Sequence, residues 1–323
     1  MKLMTTAVLL ALCLSVPLYA QVNTDSLKAR LVQVKGAERL GVLADLVEAL
    51  YSEDSERALA YGREAVSLLR GDAAPAVTRR VLYWTGWAYD AAEKYDSAMV
   101  LAGRLRTWGE ATGVAGGVAD GAYLESILYH YERNDQAAAV AAAQEALARY
   151  EALGEKRGMA ASLNLIGSSY SDLGDYNKAL SFYRRALAVR EELGDKEGIA
   201  RSLYNMGSLN WRQGDYAEAL SFYGRALALR EEIGNKPGMS ASINNMGNIY
   251  LEQGDYDKAL SFYTRSLAID YYPNTLCLPV YHATATGNRQ AGWLSGRKSP
   301  FPYIRPLGSA GREGNLRSRR CRF

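Results

Sequence analysis

Catalysis by side chains needs nucleophiles, proton carriers or metal ligands, and residues 21–270 offer few. That stretch holds one histidine, His130, and no cysteine. Neither a Cys/His nucleophile pair nor a soft-ligand metal cluster can be assembled there. Glu191-Glu192 and Glu231-Glu232 are adjacent carboxylates, but they fall near expected helix ends, where solvated charge is ordinary. Gly113, Gly116, Gly117 and Gly121 read as a glycine-rich connector and match neither phosphate-binding glycine motif. His130 reads as a residue packed between helices. The chain is therefore expected to be no enzyme and to need no cofactor and no metal. Its chemistry is that of contact.

The elements that make the contact follow from composition and period. The 323 residues are 48% hydrophobic and 23% charged, which is globular. Charge divides the chain unevenly. Residues 271–323 carry eight Arg and one Lys against Glu313 alone, leaving 29 basic and 34 acidic residues for 1–270, a net of −5. At the other end, Met1-Lys2 precedes an apolar run from Leu3 to Leu14, Pro17 breaks the helix, and Ala20 sits at a small-residue cleavage position. This is the build of a secretory signal peptide over residues 1–20, cleaved after Ala20, and it implies export to a periplasm or beyond. The apolar run is short for an uncleaved anchor, and Cys13 follows Leu12 where a lipoprotein needs a small residue. No later stretch is long and apolar enough to span a bilayer.

Between these ends the sequence repeats. Gly-Asp-Tyr recurs at Gly174, Gly214 and Gly254, and Ala-Leu-Ser-Phe-Tyr at Ala179, Ala219 and Ala259, each at a spacing of forty. Worn copies are marked by Ala139, Ala146 and Leu147, by Gly86 and Tyr89 one residue out of phase, and by Tyr51, Ala58 and Leu59. Six repeats result, at about 40–79, 80–119, 121–160, 161–200, 201–240 and 241–270. A helix from about Ser26 to Val34, within 21–40, covers the first. Each block reads as two helices. Leu163, Ile166, Gly167 and Tyr170 share one helical face. Gly174 suits a left-handed helix end, Asp175 an N-cap, and Gly194 closes the second helix. Asp215 with Glu218 has the spacing of a capping box. Gly167, Ala179 and Ala186 are small enough to let helix backbones approach closely.

Glycine eight places into the unit (Gly167, Gly207, Gly247), Tyr three later (Tyr170, Tyr250) and alanines at twenty and twenty-seven resemble the tetratricopeptide repeat. The usual unit has ~34 residues. A unit of forty is similar to the long-repeat branch seen in Leu-Gly-Asn repeat proteins and kinesin light chain. The resemblance covers about residues 35–270. It implies an all-α, right-handed solenoid whose first helices line a concave channel. It also implies which positions face that channel: Asn164 in the fourth repeat, Arg201, Tyr204, Asn205, Trp211 and Arg212 in the fifth, Asn244, Asn245 and Asn248 in the sixth. A carboxamide both donates and accepts, so a row of five asparagines can hold an extended peptide backbone with little regard for its side chains. Arg and aromatic neighbours add selectivity. The alternative is that these are solvated polar residues, and that Trp211 packs on a neighbouring repeat.

The repeat stops after Ile269-Asp270. Residues 271–323 hold five of the eight prolines together with Cys277 and Cys321. They read either as a basic disordered arm or as translation in a shifted frame, past which the natural protein continues. Two functions stay open. One is an exported scaffold for a protein or peptide partner, with no nucleic acid expected and self-association open. The other is the sensory portion of a truncated transmembrane regulator of the histidine-kinase or DNA-binding type.

Overall fold

In a computed structural model, the described residues are 15–71 and 73–270, with side chains from 24 to 269. The cleavage-side residues before Ser15 and the basic segment 271–323 lie outside them. Thirteen helices and no strand occur among the described residues. Helix α1 is Ser15–Gln33, α2 Gly36–Leu50, α3 Ser55–Leu68, α4 Pro75–Ala91, α5 Tyr95–Thr112, α6 Ala115–Tyr131 and α7 Gln136–Leu153. The regular part follows with α8 Lys156–Asp172, α9 Tyr176–Leu193, α10 Lys196–Gln213, α11 Tyr216–Glu232, α12 Lys236–Glu252 and α13 Tyr256–Asp270. The first helix of each late pair begins five residues ahead of the sequence block that it opens.

Each helix packs on the next, and α2, α4, α6, α8, α10 and α12 also touch at one remove. These six form the inner layer of an all-α solenoid. No single core exists. Small apolar clusters lie between successive helices instead, such as Leu163, Ile166 and Ile127, or Leu203, Met206 and Tyr183. Burying one such side chain contributes roughly 1.5–3 kcal/mol, so stability accumulates repeat by repeat.

Local signals explain the helix ends. Gly174 and Gly194 adopt left-handed φ of +79° and +63°. Asp175 accepts the Lys178 amide at 3.1 Å, and Asp195 and Asn235 accept the amides of Gly198 and Gly238 at 2.9 Å. Asp215 departs from expectation: its side chain makes no capping bond, so the Asp215/Glu218 box does not form. The helix expected from about Ser26 runs instead from Ser15, with Pro17 in its first turn, where the missing N–H costs nothing.

The glycines bear out the need for small residues: a Cβ on Gly167 would stand 3.2 Å from the Ala179 carbonyl, and a tyrosine ring crowds it further. A Cβ on Gly167 would meet the Tyr183 ring at 2.7 Å, and one on Gly207 the Tyr223 ring at 2.9 Å. The space is taken by a tyrosine of the second helix. Backbone approach is tighter in the segment read as a connector. Only Gly113 caps a helix there; Gly116, Gly117 and Gly121 lie inside α6. A Cβ on Gly121 would stand 2.8 Å from the Ala102 carbonyl and 2.9 Å from the Arg106 amide. Packing against α5 overrides the poor helix propensity of glycine.

Candidate functional site

The inner layer brings the sequence-predicted residues of three repeats together. Asn205 Nδ2 donates to Asn164 Oδ1 at 2.8 Å, linking α10 to α8. Asn245 Nδ2 donates to the Tyr204 hydroxyl at 2.8 Å and the Tyr223 hydroxyl at 3.2 Å, linking α12 to α10 and α11. Trp211 Nε1 donates to Glu252 at 2.8 Å, and Arg212 reaches Asp172 at 3.3 Å. All but the Asn245–Tyr223 bond join residues forty or forty-one apart, the pitch of the array. Asn248 accepts from the Tyr263 hydroxyl at 2.7 Å, the role Ser208 plays for Tyr223 at 2.9 Å. Asn244 and Arg201 are exposed.

The carboxamides retain capacity after these bonds. Asn205 and Asn245 each keep an acceptor oxygen, and Asn164 and Asn248 keep donors. Half-exposed, they present alternating donors and acceptors along the inner face. Burial raises the Tyr204 pKa, while Arg230 and the Asn245 bond oppose the shift, so the phenol stays a neutral hydrogen-bonding group.

Sequence reasoning missed the other half of the same face. Counting from Gly86 as from Gly167, the positions of Asn164, Leu165 and Ser168 are taken on α4 by Tyr83, Trp84 and Trp87. Tyr51 lies 5.2 Å from Trp84 and 6.2 Å from Trp87, and Trp87 lies 6.4 Å from Tyr123 on α6. The signal was available: the Gly86–Tyr89 spacing sets the register.

A second unforeseen feature is a set of guanidinium groups. Arg190 and Arg230, 4% and 6% exposed, end α9 and α11 and cross to the next first helix. Arg190 donates to the Gly198 carbonyl at 2.9 Å and to Ser202 Oγ at 2.6 Å; Arg230 repeats this with Gly238 and Ser242, both at 2.9 Å. Tyr150 fills the corresponding slot beneath Gly158. Burial, and after it the charge of Arg201, pulls the Arg190 pKa down to about 10.

His130 is packed, 5% exposed, with Nδ1 2.6 Å from Gln136 Oε1 and 3.0 Å from Ser169 Oγ. Burial lowers its pKa although Asp172 opposes the shift. Its register differs from expectation. Tyr129, forty residues after Tyr89, takes the tyrosine position, and the α6–α7 connection has one extra residue, absorbed at Asn134 with φ +52°. Glu192 and Glu232 pair with Lys156 and Lys196 at 3.0 and 2.5 Å, exposed struts between repeats. No cluster of metal-ligating side chains occurs among the described residues, and no helix there is long and apolar enough to cross a membrane.

No curated protein matches the chain in sequence. Solved structures match its fold. A Rap protein complexed with competence and sporulation factor is 19% identical with a TM-score of 0.59, over 77% of this chain and 70% of that one. Aspartyl phosphate phosphatase F from Bacillus subtilis is 15% identical with a TM-score of 0.58, over 79% and 69%. A signal transduction ATPase with a tetratricopeptide repeat sensor from Pyrococcus horikoshii is 16% identical with a TM-score of 0.57, over 72% and 39%. The family model for the tetratricopeptide repeat matches residues 158–232 and 198–271, the stretch where the forty-residue unit is most regular. With their paired helices, glycine–tyrosine contacts and shared inner layer, residues 158–271 are tetratricopeptide repeats, and the described chain as a whole resembles proteins built from them.

Proposed function

We propose that this chain is an exported, non-enzymatic scaffold that holds an extended peptide segment of a protein partner along its inner face. The carboxamide ladder through Asn164, Asn205 and Asn245 carries the reading. An extended backbone offers a donor and an acceptor at each residue, and the ladder leaves the complementary groups half-exposed at the pitch of the array. Asn244 and Asn248 extend the row, Trp211 and Tyr204 flank it, and Arg201 and Arg212 border it. Export rests on the signal-like build of residues 1–20. That one fold neighbour is a Rap protein crystallised with a competence and sporulation factor is in keeping with this use of the surface.

The test is a double substitution, Asn205→Ala with Asn245→Ala. Capture of the partner from a pull-down falls about tenfold while the helical circular-dichroism signal stays unchanged. Unchanged capture would remove the ladder from the site. A second reading, the sensory part of a larger signalling regulator, is favoured by the neighbour whose tetratricopeptide repeats are described as a sensor. Reading the nucleotides after codon 270 in the other two frames tests it: resumed repeats, then an apolar span, support it.

A further inference from the structure

The last turns of the inner helices carry a different group in each repeat: Asp90 on α4, His130 on α6, Ser171 on α8 and Trp211 on α10. His130 is held so that one ring nitrogen is occupied and the other is not. Gln136 Nε2 donates to Asn134 Oδ1 at 3.2 Å and to the His130 carbonyl at 3.5 Å, which leaves Gln136 Oε1 to accept from Nδ1 at 2.6 Å. The Nδ1 proton is thereby fixed, with Ser169 Oγ at 3.0 Å beside it. The lone pair of the neutral ring sits on Nε2, and Nε2 faces Asp172 Oδ2 at 3.7 Å. A lone pair and a carboxylate repel, and the gap exceeds a hydrogen bond. The other oxygen of Asp172 meets Arg212 of α10 at 3.3 Å. Asp172 is the last residue of α8, where the helix dipole disfavours negative charge and neighbouring cations offset it. Other charges near the end of α6 are directed elsewhere. Glu132, Glu93 and Asp90 act on the Tyr95 phenol of α5, and Arg133 pairs with Asp96 at 3.8 Å. Tyr131 packs edge-on to the ring at 4.3 Å, and burial keeps the phenols of Tyr131 and of Tyr183 on α9 neutral.

We infer that His130, Asp172 and Arg212 form a proton-operated clasp across the inner layer. When Nε2 takes a proton from solvent it donates to Asp172, which stays ionised, and one carboxylate then ties α6 to α8 and α8 to α10. Asp172 is exposed, so closure needs only a movement of its side chain by about 1 Å towards the ring. At neutral pH the clasp is open on the His130 side. In acid it joins the ends of three successive inner helices, a link that is absent otherwise. Burial holds the ring pKa down while Asp172 opposes that shift, so the clasp closes below the pH at which a free histidine takes its charge.

Histidine ring protons followed by NMR in the full chain test the clasp, since His130 and His282 are its two histidines and His130→Gln assigns the signals. Native His130 is expected to titrate below about 6.5. Asp172→Asn should lower that midpoint by about one unit, a tenfold loss of proton affinity, and Arg212→Gln should raise it, because Asp172 then serves a single cation. Urea unfolding supplies a second reading. In a double-mutant cycle of His130→Gln with Asp172→Asn, coupling should appear below the native midpoint and vanish above it. A midpoint that ignores Asp172→Asn overturns the clasp, as does a ring that takes no proton until the chain unfolds. Coupling of equal size on both sides of the midpoint would reduce the pair to ordinary packing and overturn it too.

Discussion

The inner helices of the first three repeats and those of the last three occupy the same register with opposite chemistry. On α4 the channel positions are Tyr83, Trp84 and Trp87, which pack on one another and on Tyr51 and Tyr123. On α10 and α12 they are Tyr204, Asn205, Asn244, Asn245 and Asn248; Tyr204, Asn205 and Asn245 bond across repeats, and the carboxamides keep groups to spare. Inside the first half Arg79 and Arg106 are each held by two carboxylates, whereas the buried Arg190 and Arg230 of the second half are held by a carbonyl and a hydroxyl. The repeat thus fixes where a side chain points and leaves open whether it packs or binds. Its framework residues, glycine, tyrosine and alanine, bear the fold, and the channel positions are free to specialise.

The sharpest way to break this comparison is at the glycines. Gly121 faces the α5 backbone, and Gly207 faces a tyrosine ring. Gly121→Val should cost at or above the upper end of about 1–3 kcal/mol, and Gly207→Val less, as read by urea unfolding. Equal costs would mean that the first half tolerates helix displacement. Exchanging the chemistry of equivalent positions comes next. Trp84→Asn is expected to lose about 3 kcal/mol of stability, the lower end for a large aromatic because Trp84 is half-buried. Asn205→Ala should lose under about 1 kcal/mol, because its bond to Asn164 is partly solvated.

Titration probes the seam between the halves. The His130 pKa in the folded chain is lowered by burial, so above about 6.5 the ring is neutral in both states and its contribution is intact. As pH falls from there towards the lowered value, the unfolded chain takes up the proton first and stability declines. His130→Gln should flatten that stretch of the stability–pH curve, and an unchanged slope would move its origin to the carboxylates. The smallest effect is at the caps. Asp175→Ala should lower the urea midpoint slightly and Asp215→Ala by less, since of the two only Asp175 accepts a backbone amide.

The period, the helix pairs and the left-handed glycines were legible because each rests on local sequence. Gly174 and Asp175 act within one turn of their own positions. What lay hidden depends on partners far away in sequence. Gly116, Gly117 and Gly121 look like a loop until α5 is laid against them. Tyr83, Trp84 and Trp87 were out of view because the early copies drift by one residue, an offset taken up at Asn134, with φ +52°. In the candidate site the asparagines and Tyr204 could be located, but not the bonds that the asparagines make with Tyr204, Tyr223 and Tyr263. Arg190 and Arg230 were hidden for a plainer reason: an arginine near a helix end reads as surface charge, and only the fold shows it entering a slot beneath the next glycine.

That slot has a consequence for how such a chain can grow. The forty-residue segment beginning at Lys196 carries near its start Gly198 and Ser202, which receive Arg190 of the segment before it, and near its end Arg230, which enters the next. Such a segment therefore carries a plug at one end and a matching socket at the other. Gene duplication that copies the segment whole inherits a finished joint, so length can change by tandem insertion without inventing a single new contact.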